Sequence, residues 1–180
     1  MKLCLYLNSK HMLALEFSLY FYLYGRDFMS NYQNVLVAVD GSKEAEKAFK
    51  KAIHVAKRNR AKLVITHIVD IKAYSAVEAY NRAIADRANE FAEGLLEDYK
   101  KSALEAGVSV VETALSYGNP KAQIAKEVAP KYKIDLIICG ATGLNAVERF
   151  LIGSVSEHII RYAKCDVLVV RGEDEEKGTL

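Results

Sequence analysis

From Asn34 onward the chain alternates between short apolar runs and amphipathic stretches. Residues 34–39 (NVLVAV) form a continuous apolar run, as a strand covered on both faces does. Asp40-Gly41-Ser42 breaks the run; Ser42 is a good helix N-cap, and Glu44 and Glu46 suit a helix's positive end. Ala45, Ala48, Phe49, Ala52, Ile53 and Ala56 then share one helical face. Residues 63–69 (LVITHIV) read as the second strand. A long helical stretch covers about 76–106, with Ala79, Ala83, Ile84, Phe91, Leu95 and Tyr99 expected inward and Gly107 as its left-handed cap. Residues 108–115 are the expected third strand. Asn119 and Pro120 open a third helix, with Ala122, Ile124, Ala125 and Val128 on its apolar face and Pro130 at its expected end. Residues 134–139 (IDLIIC) make strand four, 155–163 a fourth helix and 165–170 (CDVLVV) strand five.

This β-α-β-α-β-α-β-α-β order predicts an α/β fold, with a parallel sheet built through right-handed crossovers. Ligands of open parallel sheets bind beyond the carboxyl ends of the strands, where the strand order reverses. The residues at those ends are Asp40-Gly41-Ser42, Asp70, Gly118-Asn119 and the segment from Gly140 onward. That last segment, Gly140 to Gly153, is longer than the ~2–6 residues of most such connections, and long loops in compact domains tend to be functional.

Two glycine corners bound this loop: Gly140-Ala-Thr-Gly143 and, nine residues later, Gly153-Ser154-Val155-Ser156. Glycine lets backbone amides approach a phosphate closely, and the start of a helix supplies free N–H groups and a favourable dipole. Ser154 and Ser156 add possible hydroxyl donors. A ligand-free reading stands beside this one. Ser154-Val-Ser-Glu157 has the form of a capping box, Gly140 would serve as an ordinary turn glycine, and Asp40 would cap the turn into the first helix.

The spacing G-x2-G-x9-G-[ST], at Gly140, Gly143, Gly153 and Ser154, resembles the nucleotide-binding signature of the universal stress protein family. VLVAVDGS (35–42), HIVD (67–70) and DVLVVR (166–171) resemble that family's first, second and fifth strands, so the likeness extends over residues 34–171. The resemblance implies an open five-stranded parallel sheet of order 3-2-1-4-5 with helices on both faces, a nucleotide α-hydrolase-like, Rossmann-type sandwich. It also implies ATP with Mg²⁺ or Mn²⁺ as ligand, the cation held by the phosphates. Carried over residue by residue, Val39 and Asp40 border adenine and ribose, and Ile68 offers backbone contacts to the base. Gly140 lies under the ribose, while Ala141 belongs to the same binding turn. Gly143, Gly153, Ser154, Val155 and Ser156 surround the phosphates. Some ATP-binding members carry a proline where this chain has Ala38, a change expected to adjust the adenine pocket. A homodimer through the fifth strand is implied as well.

Composition narrows the alternatives. The chain has 180 residues, 51% of them hydrophobic, which suits one domain with a packed core. A net charge of +2 and no basic stripe interleaved with aromatics argue against nucleic acid as partner. Cys4, Cys139 and Cys165 form no framework or CxxC site and suit a reducing, cytoplasmic setting. Residues 12–24 are apolar but interrupted by Glu16, and they are short of the ~20 residues a membrane span needs. Residues 1–29 are therefore set apart as an extension, with translation expected to begin at Met29; the domain covers 30–172 and a charged tail 173–180. His54, His67 and His158 are expected to be structural, no nucleophile–base order is evident, and no carboxylate cage for a metal is seen. An ATP-retaining binding module is thus favoured over a slow ATPase or adenylating enzyme. A flavodoxin-like module is disfavoured because the glycine loop follows strand four.

Overall fold

A computed structural model describes residues 32–70, 78–143 and 152–171, with side chains described from residue 86 onward in the middle segment. The expectations for residues 1–29, for the centre of the glycine loop and for the tail lie outside the described residues. So do the side chains of Ala79, Ala83 and Ile84. The elements are β1 (Asn34–Ala38), α1 (Lys43–Asn59), β2 (Lys62–Val69), α2 (Glu78–Glu105) and β3 (Val111–Tyr117). They continue with α3 (Pro120–Gln123, Ile124–Val128 and Ala129–Lys131 in succession), β4 (Leu136–Gly140), α4 (Ser154–Tyr162) and β5 (Asp166–Val170).

All strand pairs are parallel, and the order is β3-β2-β1-β4-β5 as expected. Successive residues of a strand point to opposite faces, so an apolar run feeds two cores at once. Val35 and Val37 of β1 pack with Ala48, Phe49 and Ala52 of α1 and with Leu96 and Ala103 of α2. Leu36 turns the other way, to Ile124 and Val128 of α3 and Ile159 of α4. Asp135 ties the amino ends of the strands together: its carboxylate accepts from the Gln33 and Asn34 N–H groups, and its carbonyl from Asp166 N–H.

Three helices end alike. Arg60 (φ 54°), Gly107 (φ 89°) and Lys133 (φ 52°) are left-handed. In each case the next residue, Ala61, Val108 or Ile134, is buried and donates its N–H to a carbonyl five residues back. This is the Schellman arrangement with its hydrophobic contact. It corrects the start of the third strand: Val108 belongs to the cap of α2, so β3 begins at Val111. Pro130 likewise does not end α3. The helix widens to a π turn over Ile124–Val128, with Ala129 N–H bonded to Ile124 carbonyl, and passes through the proline to Lys131. Proline lacks an N–H and crowds the carbonyl four residues back, and a wider turn relieves both.

A left-handed non-glycine residue costs about 1–2 kcal/mol, of which glycine would return about half through its larger unfolded-state entropy. Lys133→Gly is expected to stabilise the fold by about 0.5–1 kcal/mol, read as a higher urea midpoint at an unchanged slope.

Candidate functional site

β1 and β4 are neighbours only as far as Val37 and Ile138. Beyond that point Val39 N–H bonds to Thr66 carbonyl of β2, while β4 continues along β5 to the Gly140–Val170 pair. The two chains leave in opposite directions and open a cleft of about 880 Å³ at the carboxyl edge of the sheet. That size lies within the ~300–1,000 Å³ usual for small-molecule sites.

Nine of the ten residues expected here line the cleft: Val39, Asp40, Ile68, Gly140, Gly143, Gly153, Ser154, Val155 and Ser156. Ala141 does not; it is buried behind the wall. Its carbonyl accepts Gly153 N–H at 2.7 Å, which closes the loop and brings both glycine corners together, and its N–H bonds to Val170 carbonyl.

Gly140 and Gly143 differ in what a side chain would meet. A Cβ on Gly143 would stand 2.5 Å from an Asp40 carboxylate oxygen, so these two positions face each other. A Cβ on Gly140 would meet the Glu44 backbone at 3.0 Å, where α1 presses on the end of β4. On its other side Gly140 carbonyl accepts the Ser156 hydroxyl at 2.7 Å. That hydroxyl is buried and engaged, so Ser156 can offer the cleft its backbone N–H but not its side chain. Asp40 performs the turn-capping role as well, accepting Ser42 N–H at 2.9 Å, while Ser42 caps α1 through Ala45 N–H.

The capping box at α4 does not form. Gly153 occupies the N-cap position, no side chain caps the helix among the described residues, and Glu157 pairs with Arg161 at 3.0 Å. Among the described residues, the first-turn N–H groups of Ser154, Val155 and Ser156 therefore meet no side-chain cap at the positive end of the helix dipole, an arrangement that favours an anion.

The β2 wall offers a different chemistry. Backbone groups of alternate strand residues point to the same side, and Lys62 N–H and Thr66 carbonyl both bond toward β1. Ile68 aims its N–H and carbonyl that way too, past the last β1 pairing at Thr66, so they border the cleft without a strand partner. Val39 differs, because its N–H is bound to Thr66 and its carbonyl lies 2.8 Å from His67 Nδ1. A carbonyl can only accept, so Nδ1 carries the proton. His67 thus has the expected structural bond and also lines the cleft.

Sequence reasoning missed Phe91, Thr142 and Lys121 in the cleft wall. Phe91 was expected inward but is 57% exposed, its ring edge-on to His67 at 6.3 Å; the buried stripe of α2 runs instead through Ala92, Leu96 and Ala103. Lys121 follows the Asn119 cap at the end of β3, a location the end-of-strand rule already marked.

Residues 31–171 match the model of the universal stress protein family. The chain belongs to that family. A Staphylococcus haemolyticus protein named for the same family is 55% identical over 146 residues, 81% of this chain and 88% of its own length. The solved structure of universal stress protein UspA from Lactobacillus plantarum has a TM-score of 0.70 at 31% identity, covering 78% of this chain and 98% of its own. A universal stress protein solved in complex with cAMP has a TM-score of 0.62 at 29% identity, covering 80% of this chain and all of its own. Among the described residues of this universal stress protein, no helix is long and apolar enough to cross a membrane.

In the cleft floor, burial pushes the Cys139 thiol up to about 11, against an opposing hydrogen bond with Ser156. The unfolded thiol ionises near 9.0, so between 9.0 and about 11 the folded chain holds a proton that the unfolded chain has lost. Stability should therefore fall as pH rises through that window, and Cys139→Ala should flatten that part of the slope in urea titrations. The glycine corners make a second prediction. Gly140→Ala forces backbone apart and should cost about 1–3 kcal/mol of stability. Gly143→Ala meets only the movable end of Asp40 and should cost under about 1 kcal/mol in the same assay.

Proposed function

We propose that this universal stress protein is a cytoplasmic, nucleotide-dependent stress-response or signalling module that holds ATP with Mg²⁺ or Mn²⁺ in the β1/β4 cleft. The observation that carries this reading is the start of α4, which no side chain caps among the described residues and which the Gly153–Ala141 bond holds opposite the Gly140–Gly143 corner. Phosphates would lie against the N–H groups of Gly143, Ser154, Val155 and Ser156, with Gly153, whose own N–H is held by the Ala141 carbonyl, as the close-approach corner, and the ribose beside Asp40 and Gly140. Adenine presents a donor beside an acceptor, which the outward N–H and carbonyl of Ile68 complement. The cation would ride on the phosphates and offset their charge. Among the described residues no three His, Cys, Asp or Glu side chains gather into a ligand set, and Asp40 is the carboxylate beside Gly143.

The relative solved with cAMP supports an adenine nucleotide as the ligand class and gives a second reading, in which the cyclic nucleotide is the signal. A third, slow ATP hydrolysis or adenylation, would require turnover approaching about 1 s⁻¹ to count as an enzyme's work. We also propose a homodimer through β5. Among the described residues this strand pairs with β4 alone, and its Val167, Leu168, Val169 and Val170 are half-buried, so its outer edge is suited to pairing across a two-fold axis.

Calorimetric titration separates these readings. ATP should bind with the cation more tightly than cAMP, and Gly143→Val or Ser154→Asp should weaken it by about tenfold or more, or 1.4 kcal/mol. Wild-type ATP affinity in both variants would remove the glycine loop from the site, and tighter binding of cAMP would favour the second reading.

A further inference from the structure

A second cavity, of about 640 Å³, opens between α1 and β5 at the amino end of the sheet, away from the nucleotide cleft. Its floor is apolar and includes Leu168. Along its rim Lys51, His54 and Arg58 project from one stripe of α1, at spacings of three and four residues. All three are exposed, and neither Lys51 nor Arg58 forms an ion pair among the described residues. The rim also holds one acid, Asp166, whose carboxylate accepts the Tyr32 hydroxyl at 3.0 Å.

The chain carries the complementary charge. After Arg171 and Gly172 come Glu173, Asp174, Glu175 and Glu176, answered by Lys177 alone. A chain's own β5 ends at the cleft end of the sheet, a strand length of roughly 16 Å from the groove. A second copy is placed differently. Two edge strands related by a two-fold axis run antiparallel, so the partner's β5 ends where this chain's β5 begins, beside Tyr32 and Asp166.

We infer that the acidic tail of one copy docks in the basic, apolar-floored groove of the other, so that the dimer carries two reciprocal tail–groove clasps. This inference rests on the β5 pairing proposed above. The clasp accounts for an exposed basic stripe beside an edge strand, and it makes dimerisation depend on salt, because partly exposed charge pairs are screened.

Sedimentation velocity over a concentration series of the full chain tests it. Changing Glu173→Lys, Asp174→Lys, Glu175→Lys and Glu176→Lys together should weaken the dimer about tenfold at low salt, as should Lys51→Glu with Arg58→Glu. Joining the two sets in one chain should restore most of the affinity, and high salt should shrink every difference. A dimer whose dissociation constant ignores both sets, or in which the joined sets weaken binding further, overturns the clasp and leaves the β5 pairing standing. That result is also expected if the tail folds onto its own groove or the groove serves another acidic protein. A wild-type chain that stays monomeric at every concentration overturns the edge pairing and the clasp together.

Discussion

Past Val37 and Ile138, two adjacent parallel strands stop sharing hydrogen bonds because their chains must reach helices on opposite faces. That divergence makes the cleft, and the other features of the site follow from it. The end of β4 is squeezed between two incoming helices, α1 at Glu44 and α4 at Ser156, and only a residue without a side chain fits there. The Asp40 turn enters from one side and the Gly143 corner from the other, close enough for a single carbon to separate them. Parallel sheets commonly bind ligands at such points because backbone polar groups lose their strand partners there.

The site shows local choices that do not favour stability. A serine or aspartate at the N-cap of α4 would stabilise the helix by roughly a few tenths of a kcal/mol, yet glycine stands there and the nearby glutamate is paired elsewhere. Local rules give way most readily where function needs the space. The first helix, whose start is occupied by no such demand, has its cap in place at Ser42.

Much of the fold was legible in the sequence because its signals are local. Apolar runs marked the five strands, and the caps of α1 and α3 stand at Ser42 and Asn119 as read. The misreadings share a cause: an alternative partner that lies outside the local window. Val108 is apolar enough for a strand, but its N–H is taken by the helix cap behind it. Pro130 was read as a stop, and a π turn upstream absorbs it. Phe91 matches the inward period of α2, but the helix is rotated so that Ala92 and Leu96 fill the core. The motif residues of the site stand together as a group, whereas Ala141 and the Ser156 hydroxyl hold the walls rather than face the cleft. His67 and Lys121 could be assigned to the wall only once tertiary packing set the cleft's width.

Ala141 has a further consequence. Its own carbonyl accepts the N–H of the returning glycine corner, and its own N–H donates to the last residue of the outermost strand. The glycine loop and the outermost strand are therefore joined by a single residue. Any shift of that corner is mechanically a shift of the margin where a companion subunit would rest.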